Sequence, residues 1–253
     1  SPAGGGRTTM TLTMPGESRQ YRQARDALLE QEIDLRRRME AVAAARRALP
    51  PGGEVPEDYV FEEQADDGTV APVRLSELMG EGRSVAVYNY MFPRHVGDGR
   101  PGPTEGESAA LPLEEGPCPS CTALLDQLDA AARHVAPHAD LVVSAKAPIE
   151  RLTTFARERG WRHLRLVSSA GNSYARDYGG EVDGQQQPMM NVFERDGAVI
   201  RHFWGSEMLY APSDPGQDPR HMGTLEPSWN LFDLMRPGRG EDWDEQFDYD
   251  CCR

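Results

Sequence analysis

The sequence contains no run of about 18 consecutive apolar residues, the length a helix needs to cross a bilayer. A membrane-spanning helix is therefore not expected. The first residues carry no apolar signal core either, so the expected location is cytoplasmic. Positive charge is scarce: 27 Lys and Arg face 41 Asp and Glu, a formal charge of −14, and Lys146 is the sole lysine. Too little basic surface remains to neutralise phosphates, which sets aside nucleic acid and anionic membranes as partners. Cysteine is scarce too, with four in 253 residues. A chain of this length buries roughly 70–75% of its unfolded surface and needs no disulfide framework. In a reducing compartment a close cysteine pair is then redox-active or metal-binding.

Residues 1–16 are Gly, Thr and Pro without apolar period, as in a disordered tail. Residues 17–50 read as a helical arm: Tyr21, Leu28, Leu35, Val42 and Leu49 fall seven apart and form one stripe of a long amphipathic helix, stopped by Pro50-Pro51-Gly52-Gly53. The stripe is expected to pack on the protein's own body or on a second subunit.

Residues 51–237 form the main domain, with strands at 59–62 and 70–73 bracketing an Asp66-Asp67-Gly68 turn. An apolar strand follows at 84–92 (SVAVYNYMF), then a helix over 121–135, a strand over 141–145, a helix over 148–160 and a strand over 163–168. A hairpin pairs 189–194 with 198–203 across Arg195-Asp196-Gly197, and a last helix covers 228–235. Residues 93–117 interrupt this order as a long irregular loop insertion, which reads as a lid, a binding loop or a disordered insert. Residues 238–253 make an acidic, aromatic tail ending in Cys251-Cys252 and Arg253, with Glu241, Asp242, Asp244 and Glu245 expected on a solvated surface. Strands alternating with helices and then a closing hairpin give a mixed sheet flanked by helices, the thioredoxin-like α/β plan with an extra hairpin in front.

Cys118-Pro119-Ser120-Cys121 sits where a strand and loop give way to a helix. At a helix N-terminus the unpaired N–H groups and the macrodipole favour an anion, so the Cys118 thiol is expected to ionise readily and to act as the nucleophile. Cys121, one turn along, is placed to resolve a mixed disulfide, and Pro119 suits the first helical position. The bland alternative is a pair of buried, inert thiols. Pro188, just before the strand that would face the cysteines, stands where thioredoxin-like sheets place a cis proline beside the site, the alternative being an ordinary trans proline that opens an edge strand.

Six histidines are present: His95, His134, His138, His163, His202 and His221. His95 in the long loop and His202 at the end of the hairpin are the two that folding could bring to the cysteines, as a base or as a third ligand to copper. His134 and His138 fit a solvated C-terminal helical turn better than a metal site. Cys251-Cys252 could act as a mobile dithiol serving Cys118 and Cys121, or be accidental thiols in an unstructured tail.

SVAVYNYMF, CPSC, LVVSAKAPIERLTTFARERGW and LVSSAGNSYARDYG together resemble a large bacterial family of thioredoxin-like proteins, known mostly as a domain of unknown function. The resemblance covers about residues 20–250, including ARDALLEQEIDLRRRMEAV, DYVFEEQADDG and the segment around Trp243 and Tyr249. It implies a thioredoxin-like fold related in layout to the peroxiredoxins, with the family's cysteine pair at Cys118 and Cys121 and a histidine at His202. The long 93–117 detour and the terminal Cys-Cys depart from the family pattern, and Gly116-Pro117 stands where a peroxidase of the peroxiredoxin type would carry its Thr-x-x-Cys context.

The leading expectation is a thiol-dependent oxidoreductase using the Cys118/Cys121 dithiol on a small or peptide-bound substrate, with a cellular thiol as reductant and no cofactor. The first alternative is a copper protein holding the metal through Cys118, Cys121, His202 and His95, or an oxygen-activating tailoring enzyme built on that site. The second is a non-enzymatic binding module. The heptad stripe predicts a homodimer formed through residues 21–49. Light scattering should return twice the chain mass, and a monomer mass would refute it.

Overall fold

A computed structural model describes residues 12–217, 220, 222, 225–240 and 242–250. Residues 1–11, His221, Glu241 and the Cys251-Cys252 pair lie outside the described residues. The chain divides into two compact units, residues 1–50 and 51–253.

The first unit is one helix, α1 (Arg19–Arg47), within the span expected from the heptad stripe. The Ser18 hydroxyl caps it by accepting the Tyr21 N–H (3.1 Å), and Arg46 and Arg47 place positive charge at its C-terminal end. Arg25 pairs with Glu32 and Arg37 with Asp34, both at 2.8 Å. No residue of the helix is buried, and Tyr21, Leu28, Leu35 and Val42 are each about half exposed.

The second unit opens with the expected hairpin, β1 (Val60–Gln64) and β2 (Val70–Arg74), closed by a turn in which Gly68 adopts φ +88°. The chain then alternates through β3 (Val85–Tyr90), α2 (Pro119–Val135), β4 (Asp140–Ala145), α3 (Ile149–Arg159) and β5 (Arg165–Ser168). A short helix α4 (Tyr174–Asp177) and a small hairpin of β6 (Glu181–Val182) and β7 (Gln185–Gln186) follow, neither of them signalled by the sequence pattern. The hairpin β8 (Met190–Asp196) and β9 (Val199–Gly205) and the helix α5 (Pro227–Phe232) complete the order. The main sheet runs β2-β1-β5-β4-β3-β8-β9, with β3, β4 and β5 parallel and the outer pairings antiparallel. This is a thioredoxin-like mixed sheet.

Strand alternation splits the core into two faces. Val85, Val87, Val142 and Phe193 point into a cluster with Tyr59, Phe61 and Tyr174, while Tyr88, Tyr90, Val143 and Met190 point into the other with Cys118 and Cys121. Both faces are covered, which is why 84–92 is apolar throughout. The β3-α2-β4 and β4-α3-β5 steps run the same way across the sheet, so crossovers of one hand bring both long helices to the cysteine face.

Residues 93–117 are not a disordered insert. The buried guanidinium of Arg94 spans the loop, donating to the carbonyls of Arg100 (2.6 Å) and Pro117 (2.8 Å), while its backbone N–H reaches Gly116 (2.9 Å). Further along, the Glu158 carboxylate of α3 accepts the N–H groups of Glu107 (2.7 Å) and Ser108 (3.3 Å). That contact requires Gly106, whose φ is +78° and where a Cβ would lie 2.4 Å from Glu158 Cδ. A polar loop of this length stays ordered because its backbone groups find fixed partners.

One buried carboxylate holds the turn between α3 and β5. Asp129 of α2, 9% exposed, accepts the N–H groups of Arg162 (3.0 Å), His163 (2.8 Å) and Leu164 (3.1 Å). Asp129→Ala should lower stability by about 2–4 kcal/mol in urea denaturation, because three donors lose a charged acceptor at once. Asp129→Asn, which keeps an acceptor, should lose less.

Candidate active site around Cys118 and Cys121

Cys118 is the N-cap of α2, and Pro119 opens the helix as expected from its missing N–H. The residue is locked from several sides. Its N–H donates to the Met91 carbonyl beyond β3 (2.9 Å), and its carbonyl accepts the Thr122 hydroxyl (2.8 Å), itself hydrogen-bonded to Tyr90 (2.7 Å). The sulfur accepts the Cys121 N–H at 3.5 Å. Cys118 is 0% exposed and both cysteines are free thiols.

The two thiols are driven in opposite directions. Cys118 is pulled below the ordinary thiol range by the Cys121 thiol donating to it, then by the Cys121 N–H and the positive charge of Arg100, all opposing burial. Cys121 is pushed well above that range by burial first and then by the adjacent Cys118 sulfur. Tyr88 lines the same cavity as the two cysteines, and burial raises its phenol well above the usual range. The surroundings thus favour ionisation of Cys118 and oppose that of Cys121.

Arg100 is the residue that sequence reasoning missed. Its fork grips Asp98 (Nε–Oδ1 2.9 Å, Nη2–Oδ2 2.8 Å), and Nη1 donates to the Ser120 hydroxyl (2.7 Å) and to Asp244 (2.7 Å). The remaining face brings Nη2 to 3.9 Å from Cys118 Sγ. No local signal marks it, since it is one more arginine in a chain whose cations are nearly all arginine.

Cys118 and Cys121 border a cavity of about 410 Å³ that Tyr88, Met91, Pro188 and Leu209 also line. Trp229 and Trp243 supply its aromatic surface, with Arg239 stacked over both (4.7 and 5.7 Å to the ring centroids). Glu226 and Glu245 contribute buried carboxyls. The expectation of a solvated acidic surface thus fails for Glu245, while Asp244 remains exposed. Asp244 pairs with Arg100, while Glu245 accepts Ser120 Oγ–H (3.0 Å) and Trp229 Nε1–H (3.2 Å). Phe247 behind them packs in the core and draws this stretch inward.

Two other expectations need correction. Pro188 borders the cavity but its peptide bond is trans; the cis bond among the described residues is Phe92–Pro93. The chain turns at Pro188 instead through a tight Met189 N–H to Gln187 carbonyl contact (3.0 Å), braced by Asn89 Nδ2 donating to the Gln187 carbonyl (2.7 Å). His202 does not join the cysteines. Its Nε2 bonds Asn191 Oδ1 (2.7 Å), its ring stacks on Tyr178 (5.4 Å), and it lines a separate cavity with Met189 and Tyr210. His95 is engaged locally, its Nδ1 accepting the Gly97 N–H (3.1 Å). Among the described residues no three of His, Cys, Asp and Glu are arranged to hold a metal ion, so the copper site of Cys118, Cys121, His202 and His95 is not assembled.

The family model described as "Bacterial protein of unknown function (DUF899)" matches residues 10–250. No curated protein is similar enough to match. Similar solved structures include the peroxidoxin BcpB from Mycobacterium tuberculosis, 20% identical over 72% of this chain and 97% of that one, with a TM-score of 0.40. The mitochondrial 2-Cys peroxiredoxin from Plasmodium falciparum is 11% identical over 72% of this chain and 96% of that one, with a TM-score of 0.41. Peroxiredoxin Q from Xanthomonas campestris is 14% identical over 60% and 85%, with a TM-score of 0.38. Likenesses this distant say nothing of the site's chemistry.

Arg100→Gln keeps the polar length and removes the charge. Alkylation of Cys118 by iodoacetamide at pH 7 should slow about threefold to tenfold, with the pH dependence displaced upward because the thiolate loses its cation. An unchanged profile would show that Cys121 and the helix terminus set the reactivity of Cys118 without Arg100.

Proposed function

The chain belongs to the DUF899 family, whose description assigns no chemistry, and from the site itself we propose a thiol-dependent oxidoreductase acting on a small electrophile, a disulfide or a peroxide. The observation that carries the reading is the Cys118 sulfur, stabilised by Cys121 and Arg100 and reached through a cavity of about 410 Å³. A fully buried nucleophile behind such a cavity favours a small molecule over a protein disulfide.

With a disulfide R–S–S–R, the Cys118 thiolate attacks one sulfur, the Cys118–S–R bond forms, and the other sulfur leaves as RS⁻ and takes a proton. Cys121 then gives up its proton and attacks Cys118 Sγ, forming the Cys118–Cys121 disulfide and expelling the second RSH. With a peroxide, Cys118 takes one oxygen as sulfenic acid, an alcohol or water leaves, and Cys121 displaces water. Either route moves two electrons from the dithiol to the substrate, and a cellular thiol restores them. The helix N-terminus and Arg100 do their work in the ground state by holding the thiolate, while the depressed acidity of Cys121 delays resolution until the adduct has formed.

With Cys251 and Cys252 replaced by serine in every protein tested, Cys121→Ser exposed to 2,2′-dithiodipyridine should retain one mixed disulfide per chain on Cys118, seen by mass spectrometry. Wild type should instead lose two hydrogens, and Cys118→Ser should acquire no adduct in the cavity. An unreactive Cys118 in wild type would end the oxidoreductase reading.

A further inference from the structure

The dithiol cycle needs a group that gives a proton to the departing thiol and takes one from Cys121, and the cavity contains a carboxyl with no other employment. Glu226 stands just before Pro227 at the start of α5, is 8% exposed, and borders the same cavity as Cys118, Cys121 and Tyr88. Its Oε2 is buried without a hydrogen-bond partner. An ionised carboxylate so placed would be strongly disfavoured, so the oxygen is held for a proton or for a group that enters the cavity.

The second buried carboxyl, Glu245, is in the opposite condition. Both its oxygens are used, by Trp229 and Ser120. Two carboxyls close together in a buried site cannot both ionise cheaply; burial and Asp244 raise Glu245 as well, but its hydrogen bond from Ser120 opposes that rise, a support Glu226 lacks. Burial and the Glu245 charge accordingly raise Glu226 to about 7. Arg220 opposes that rise, but its guanidinium is spent on Asp233 (Nη2–Oδ1 2.9 Å). Asp244 and Arg239 complete the charged lining on this side, and Arg100 lies beside Cys118.

Tyr88 connects the two groups. Its side chain lines the same cavity as Cys121 and Glu226, and its own ionisation is suppressed by burial. It can pass a proton without holding the charge.

We propose that Glu226 is the proton donor and acceptor of the dithiol cycle, exchanging protons directly with the leaving thiol in the cavity and, through the Tyr88 hydroxyl, with Cys121. The assignment rests on the oxidoreductase reading. In balance, protonated Glu226 neutralises the first RS⁻. Its carboxylate then receives the Cys121 proton as Cys121 attacks Cys118, and that proton goes to the second RS⁻. One proton from solvent restores Glu226, two electrons have left the dithiol, and two RSH have formed from R–S–S–R.

2,2′-Dithiodipyridine separates the steps, because each pyridinethione released absorbs and its departure needs no acid. With Cys251 and Cys252 replaced by serine in every protein tested, wild type included, stopped-flow should show a first release from attack by Cys118 and a second from resolution by Cys121, the second rising with pH through an inflection near the Glu226 value of about 7. Glu226→Gln should leave the first release within about twofold, slow the second at least about tenfold at pH 7, and remove the inflection. The unaltered first release also shows that the site is folded. Glu245→Gln, which removes the neighbouring charge, should move the inflection to lower pH. A second release that keeps its rate or its inflection in Glu226→Gln, or an inflection unmoved in Glu245→Gln, overturns the role of Glu226. Failure of wild type to give any second release overturns the dithiol cycle itself, a separate result.

Discussion

A single guanidinium ties together three stretches that are far apart in the chain. Arg100, from the long loop, binds Asp98 with its fork and spends its remaining donors on Ser120 at the start of α2, on Asp244 near the C-terminus, and on the approach to Cys118. A half-buried cation is stable only where carboxylates and hydrogen-bond acceptors surround it. Here those acceptors come from separate segments, so satisfying the cation also assembles the site. The planar fork matters because lysine offers no second edge with which to hold Asp98 while facing the thiol. Arg94 performs the preceding task, closing the loop on its own carbonyls so that Arg100 is presented in a fixed place.

The same environment separates chemically identical groups into different roles. Cys118 and Cys121 share one helical turn, yet the first faces an N–H, a thiol donor and a cation, and the second faces buried apolar surface and the first cysteine's charge. Glu226 and Glu245 share one cavity, yet one has both oxygens satisfied and the other has an oxygen with nothing to bind. Asymmetry of this kind allows a pair to hand over a proton or an electron pair in a set direction, since two equivalent groups would have no preferred order.

How much of this was legible beforehand depended on whether the determinant was local. The strand SVAVYNYMF announced itself because a central strand covered on both faces must be apolar throughout. The helix start at Cys118 was readable from Pro119, and the hairpins from Asp67-Gly68 and Asp196-Gly197. Arg100, Glu226 and Glu245 were not readable. Their significance lies in burial and in contacts across more than one hundred positions, as in the Ser120–Glu245 bond at a separation of 125. The acidic composition around Glu245 pointed to solvent, and it misled because Phe247 and Trp229 pull that stretch inward. Pro188 borders the cavity, but neither its trans peptide nor the turn braced by Asn89 is recorded in any local pattern.

The distribution of the cavity wall along the chain has a consequence for specificity. The two cysteine sulfurs stand at the start of α2, where Cys118 is fixed by its backbone bond to Met91 and by Thr122 and Tyr90. The surface that a substrate would meet comes largely from later residues, Arg220, Met222, Trp229, Arg239 and Trp243, where stacked arginine and indole planes give a rim both cationic and aromatic. Substitutions in that later segment can reshape what enters without disturbing the hydrogen bonds that set the reactivity of Cys118. The proposed nucleophile and the surface that would select its substrate are therefore separable by construction. Arg100 and Glu245 are the exceptions, because each belongs to the wall and to the support of α2 at once.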